Sequence, residues 1–174
     1  MGRLQVSVCR LQEPNPLSPA QEKAYGEIHE AFKTKEVCLL HGVTSSGKTE
    51  IYVRLIHEVL RLGRQVLYML PEIAITTQIT ERLAKLFGDK LLVYHSKFSD
   101  NERVEVWNRL LHTGEPMLVL GVRSSLFLPF KDLGLIIIDE EHENTYKQQD
   151  PAPRYHARNA ALVPVSYTHL RAHE

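Results

Sequence analysis

Residues 42–49 read Gly42-Val43-Thr44-Ser45-Ser46-Gly47-Lys48-Thr49. This is the phosphate-binding spacing G-x-x-x-x-G-K-[ST], matched at every fixed position. The chemistry needs these residue types. Gly42 and Gly47 admit backbone angles that a side chain would block, so successive N–H groups can turn inward onto phosphate oxygens. A helix starting near Gly47 would add the positive end of its dipole. Lys48 is placed to reach the β- and γ-phosphates, and Thr49 offers a hydroxyl to Mg²⁺. A second signal stands at Leu135-Ile136-Ile137-Ile138, which runs into Asp139-Glu140-Glu141-His142. A strand ending this way would present Asp139 to Mg²⁺ and Glu140 to water as a general base. Alone, the same run could be a strand that ends in a solvated acidic turn; the phosphate loop upstream favours the metal reading. ATP and Mg²⁺ are the expected cofactors. A kinase could use the same parts, but Glu140 beside the metal ligand favours hydrolysis, and no segment stands out as a lid.

These residues must be held by strands and helices, and the hydropathy pattern supplies them. Ser18-Pro19-Ala20-Gln21 opens a helix, with Ser18 as N-cap and Gln21 closing a capping box. Ala24, Ile28, Ala31 and Phe32 follow at helical spacing. Val37-Cys38-Leu39-Leu40 reads as a strand buried on both faces, and after the loop Ile51, Leu55, Ile56, Val59 and Leu60 trace one helical face up to Gly63. The pattern then repeats: strands at 66–70, 91–94, 117–120 and 135–138, and helices over 73–87 and from a capping box at 99–102. Val106, Trp107, Leu110 and Leu111 are the expected inward residues of the last helix. Short apolar strands alternating with amphipathic helices predict a parallel sheet with helices on both faces, its chemistry at the carboxyl ends of the strands.

Composition narrows the class. The chain has 174 residues, 21 Lys+Arg against 21 Asp+Glu, 43% hydrophobic and 24% charged residues. That describes one globular domain rather than a disordered tail or a disulfide-stapled miniprotein. Cys9 and Cys38 stand far apart without a second pair, which excludes a thiolate zinc site, and the nine His show no metal spacing. No run approaches the roughly 20 apolar residues of a membrane span, and residues 1–14 lack a signal-peptide core. A soluble cytoplasmic protein is expected. Zero net charge argues against a globally basic nucleic-acid binder but leaves local patches open. One such patch is residues 147–158, with three Lys/Arg and one Asp. Tyr146 and Tyr155 beside it could stack on unpaired bases, or could merely cap the core.

Asp139-Glu140-Glu141-His142 is the form that motif II takes in one group of superfamily 2 helicases. With HGVTSSGKTEIY (41–52), LPEIAITTQ (70–78), GVRSSLFLPF (121–130), IDEEHENTYKQQ (138–149) and PRYHARNAAL (153–162), the chain resembles the primosomal protein N-prime family of bacterial replication-restart DNA helicases. The resemblance covers about residues 17–162 and implies a P-loop NTPase domain of RecA-like fold. It implies that Gln21 recognises adenine, although Gln21 could be only a capping residue. It also implies DNA contacts from Glu72 to Gln78, from Arg123 and Ser124, and from a loop holding Tyr146, Lys147, Arg154, Tyr155, His156 and Arg158. The family commonly has Thr where this chain has Val122. Forked or single-stranded DNA and other primosome proteins are the implied partners.

Further expectations concern extent. Residues 1–16 read as a lead-in and 17–162 as one ATP-binding lobe lacking its third motif. The family's second lobe with its arginine finger, its zinc-binding cysteines and its amino-terminal DNA-binding domain are expected outside the chain. Residues 163–174 fit the family poorly and read as a foreign tail. Two other readings stand beside the helicase lobe: a nucleotide-dependent DNA-binding module without turnover, and a small-molecule phosphotransferase.

Overall fold

The computed structural model describes residues 11–42, 47–95, 98–140, 142–147, 155–157 and 159–161. Four strands form one parallel sheet: β1 (Gln65–Met69), β2 (Leu91–Tyr94), β3 (Leu118–Gly121) and β4 (Leu133–Ile138), in spatial order β2-β3-β1-β4. Central β1 is buried at every position. Its alternating side chains feed two cores. Val66 and Tyr68 join a cluster with helix α2 (Lys48–Arg61), and Leu67 and Met69 join one with helix α4 (Asp100–Thr113). The expected parallel sheet covered on both faces is therefore present.

Local sequence accounts for the helix starts. Helix α1 (Pro19–Phe32) opens on the Ser18–Gln21 capping box: the Gln21 N–H donates to Ser18 Oγ and the Ser18 N–H to Gln21 Oε1, at 3.4 and 2.8 Å. Helix α4 opens on the same device at Ser99 and Glu102, and those bonds hold the Glu102 carboxyl below its ordinary pKa. Helix α2 ends at Gly63, in left-handed backbone.

Three expectations change. Residues 37–42 are not a strand. Their apolar run predicts burial on both faces, but only Cys38 and Leu40 pack on the core, while Val37 and Leu39 are 55% and 72% exposed. A cavity separates this segment from β4, so its backbone finds no ladder there. Helix α3 (Thr77–Phe87) starts later than residue 73. A 3₁₀ turn, Glu72–Ala74, follows Pro71, and Thr76 then caps the helix by accepting the Ile79 N–H. Trp107, expected in the core, is 44% exposed, and Leu111 is 41% exposed. The buried stripe of α4 is narrower than the apolar one: Val106 and Leu110, four apart, meet the sheet, while the residue after each turns about 100° away.

Candidate nucleotide site

Gly47 has φ 76° and leads directly into α2. A Cβ at this position would collide with the Gln21 amide as well as strain the backbone. The Gln21 Nε2 donates to the Gly47 carbonyl at 3.0 Å, tying the start of α1 to the start of α2. Gln21 is thus both a capping residue and a contact of the phosphate loop. Lys48 Nζ donates to the Gly42 carbonyl at 3.1 Å, so the lysine bridges the two ends of the loop. Val43, Thr44, Ser45 and Ser46 lie outside the described residues.

Across the same space stands the end of β4. Gly42, Gly47, Lys48, Thr49, Asp139 and Glu140 all line one cavity of about 680 Å³, which is large enough for a nucleotide. The two sequence signals therefore converge. Asp139 is half-buried and its carboxylate is oriented on both sides. Oδ1 accepts the Glu140 N–H at 3.0 Å, and Oδ2 accepts the Tyr68 hydroxyl at 3.0 Å. Each oxygen keeps a lone pair for a cation, so this carboxylate with the Thr49 hydroxyl fits Mg²⁺, a cation that takes few protein ligands and keeps several waters. Glu140 has φ 50°, the one non-glycine in left-handed backbone among the described residues. Such backbone costs on the order of 1–2 kcal/mol, and it places Glu140 exposed at the cavity rim.

Sequence reasoning missed the tyrosines beneath this turn. Tyr52, Tyr68 and Tyr146 are all buried. Tyr52 lies four residues after Lys48 on the same face of α2, and its ring meets Tyr68 edge-on at 5.7 Å. The Tyr146 hydroxyl lies 2.7 Å from the Asp139 carbonyl and 3.1 Å from that of Met69, so its one proton serves either strand end. Burial, then the Asp139 carboxylate, pushes the phenols of Tyr52, Tyr68 and Tyr146 well above their ordinary pKa, so all three stay donors. The available signal was a tyrosine inside an otherwise apolar strand, because a buried phenol requires a partner.

The expected DNA residues divide. Glu72, Arg123, Ser124, Tyr146 and Lys147 line a second cavity of about 450 Å³ beyond the ends of β1 and β3. Lys147 pairs with His156 in an antiparallel bridge. Arg123 lies 5.7 Å over the Tyr155 ring and donates to the Thr145 carbonyl at 3.2 Å. Tyr155 also packs edge-on against Phe127 at 5.0 Å. Tyr146 is 1% exposed, so it is not the base-stacking platform its position in the sequence suggested. The hydroxyl has partners only inside, and that draws the ring into the core. Gln78 sits exposed in the first turn of α3, outside this cavity. Arg154, Arg158 and the tail 163–174 lie outside the described residues.

Comparison with known proteins decides the family: the DEAD/DEAH box helicase description matches residues 18–169. The chain belongs to the DEAD/DEAH box helicase family. The family match runs beyond residue 162, where the sequence placed the end of the lobe. Relatives named replication restart protein PriA include that of Bacillus subtilis, 47% identical over 86% of this chain and 19% of its own length. Those of Synechocystis and Haemophilus influenzae are 43% and 46% identical over 90% and 84% of the chain, covering 18% and 20% of their own lengths. The chain thus spans about a fifth of the curated relatives it matches. A solved ATP-dependent Type ISP restriction-modification enzyme, LlaBIII bound to DNA, superposes on 87% of the chain and 12% of its own, with TM-score 0.59 and 20% identity, which supports the same α/β fold. No helix among the described residues is long and apolar enough to cross a membrane.

Proposed function

We propose that this chain is the ATP-binding motor lobe of an ATP-dependent DNA helicase that acts in replication restart in the bacterial cytoplasm. One observation carries the reading: Lys48 and Thr49 of the phosphate loop and Asp139 and Glu140, just after β4, line one nucleotide-sized cavity. Lys48 would neutralise the β- and γ-phosphates, and Thr49 and Asp139 would hold the metal. A Mg²⁺ held by these two residues would supply Lewis-acid stabilisation of phosphate charge. Glu140 would take the proton of the attacking water. Gln21 would reach adenine from the start of α1. Arg123, Ser124 and Lys147 would meet DNA phosphates at the second cavity, Tyr155 would supply the aromatic face, and Arg154 and Arg158 would add phosphate contacts. Glu72 and Gln78 would border the same strand. The replication-restart role is drawn from the PriA relatives, and primosome proteins would be partners of the longer protein.

The test has two arms. Single-stranded DNA should stimulate ATP hydrolysis by the longer protein, and the 174-residue chain alone should not separate duplexes. Transfer of phosphate to a small acceptor would support the phosphotransferase reading instead. Strand separation by the purified chain alone would contradict its assignment as one lobe of a larger motor.

A further inference from the structure

We propose that Tyr68 is a positioning residue for the metal-holding carboxylate of Asp139. The inference rests on the nucleotide-site reading above and deepens it. Tyr68 occupies central β1, beside Ile137 of β4 and Leu120 of β3, and is 1% exposed. Its ring is therefore fixed by packing before any ligand arrives. From that fixed place its hydroxyl donates 3.0 Å to Asp139 Oδ2, while the Glu140 N–H holds Oδ1. The carboxylate is held at both oxygens, so its remaining lone pairs face a set direction. Tyr52, on the face of α2 that also carries Lys48, meets the Tyr68 ring edge-on at 5.7 Å. One chain of contacts thus runs from the phosphate-loop helix to the metal-binding carboxylate.

Packing alone does not require the hydroxyl, because phenylalanine would fill the same volume. What the hydroxyl adds is a donor to a ligand carboxylate, and loss of such outer partners typically weakens metal affinity about 10- to 100-fold. In Tyr68→Phe the fold should remain, and the Mg²⁺ concentration that half-saturates binding of a fluorescent ATP analogue should rise by roughly tenfold or more. Binding of the analogue in excess EDTA should match the wild type. Tyr68→Met, apolar and adaptable, gives the same reading if the phenylalanine variant folds poorly.

A merely structural tyrosine would lower the melting temperature and leave the Mg²⁺ half-saturation in place. That result would overturn the proposal. Asp139→Asn separates the two levels. If it shifts the Mg²⁺ dependence and Tyr68→Phe does not, the positioning role fails alone. If neither shifts it, the metal site itself fails, and the positioning role with it.

Discussion

Glu140 shows at the residue scale how the site is tensioned. Its left-handed backbone is closed by its own N–H to Asp139 Oδ1 and by the Glu143 N–H to its carbonyl. Asparagine tolerates that backbone better than glutamate but cannot serve as the base. Glu140→Asn should therefore melt at or above the wild-type temperature, while ATP hydrolysis in the longer protein falls about 10²- to 10⁴-fold. A lower melting temperature in calorimetry would show that the strain has been misread. At this scale the phosphate loop and the Asp139–Glu140 pair were legible in the sequence, because their chemistry demands fixed residue types at fixed spacings. Tyr68 was not, since only the register of β1 against β4 brings its hydroxyl to Asp139.

At the element scale, Tyr146 joins the 3₁₀ turn Asn144–Tyr146 to the ends of β1 and β4 through one hydroxyl shared between two carbonyls. Tyr146→Phe leaves a buried carbonyl without that donor and should cost about 1–3 kcal/mol. At roughly 2–4 °C per kcal/mol, thermal melting resolves the loss; an unchanged melting temperature would refute the clasp. The elements also show where pattern reading stops. Capping boxes at Ser18 and Ser99 are local, so sequence located them. The run 37–40 has the hydropathy of a central strand, yet strand formation depends on a partner, and β4 lies across a cavity from it. Trp107 fails for a similar reason: the width of a helix's buried stripe is set by the sheet it meets rather than by its own sequence.

For the whole molecule, pH exposes a cost built into the core. His57 of α2 is 5% exposed, and its Nε2 has no hydrogen-bond partner. Burial holds its pKa below the ordinary 6.5, with Arg61 and Arg54 acting in the same direction and Glu13 opposing. As pH falls below 6.5, the unfolded chain takes up a proton that the folded chain refuses, so stability declines. The decline continues until the folded histidine also titrates. His57→Phe should flatten the denaturation profile just below pH 6.5; an unaltered slope would assign the acid sensitivity elsewhere. The architecture itself was legible, because alternating buried strands and amphipathic helices leave few arrangements other than a covered parallel sheet.

The central claim is that the phosphate loop and the turn after β4 make one Mg²⁺-nucleotide site. Equilibrium titration of the purified chain with a fluorescent ATP analogue, with and without Mg²⁺, tests it most directly when wild type is compared with Lys48→Ala. The account predicts saturable binding to the wild type that strengthens with Mg²⁺. It also predicts at least a tenfold loss in Lys48→Ala, from the loss of charge-assisted bonds of about 1.5–3 kcal/mol each, with the circular dichroism spectrum unchanged. Equal affinity in a folded Lys48→Ala chain would contradict it.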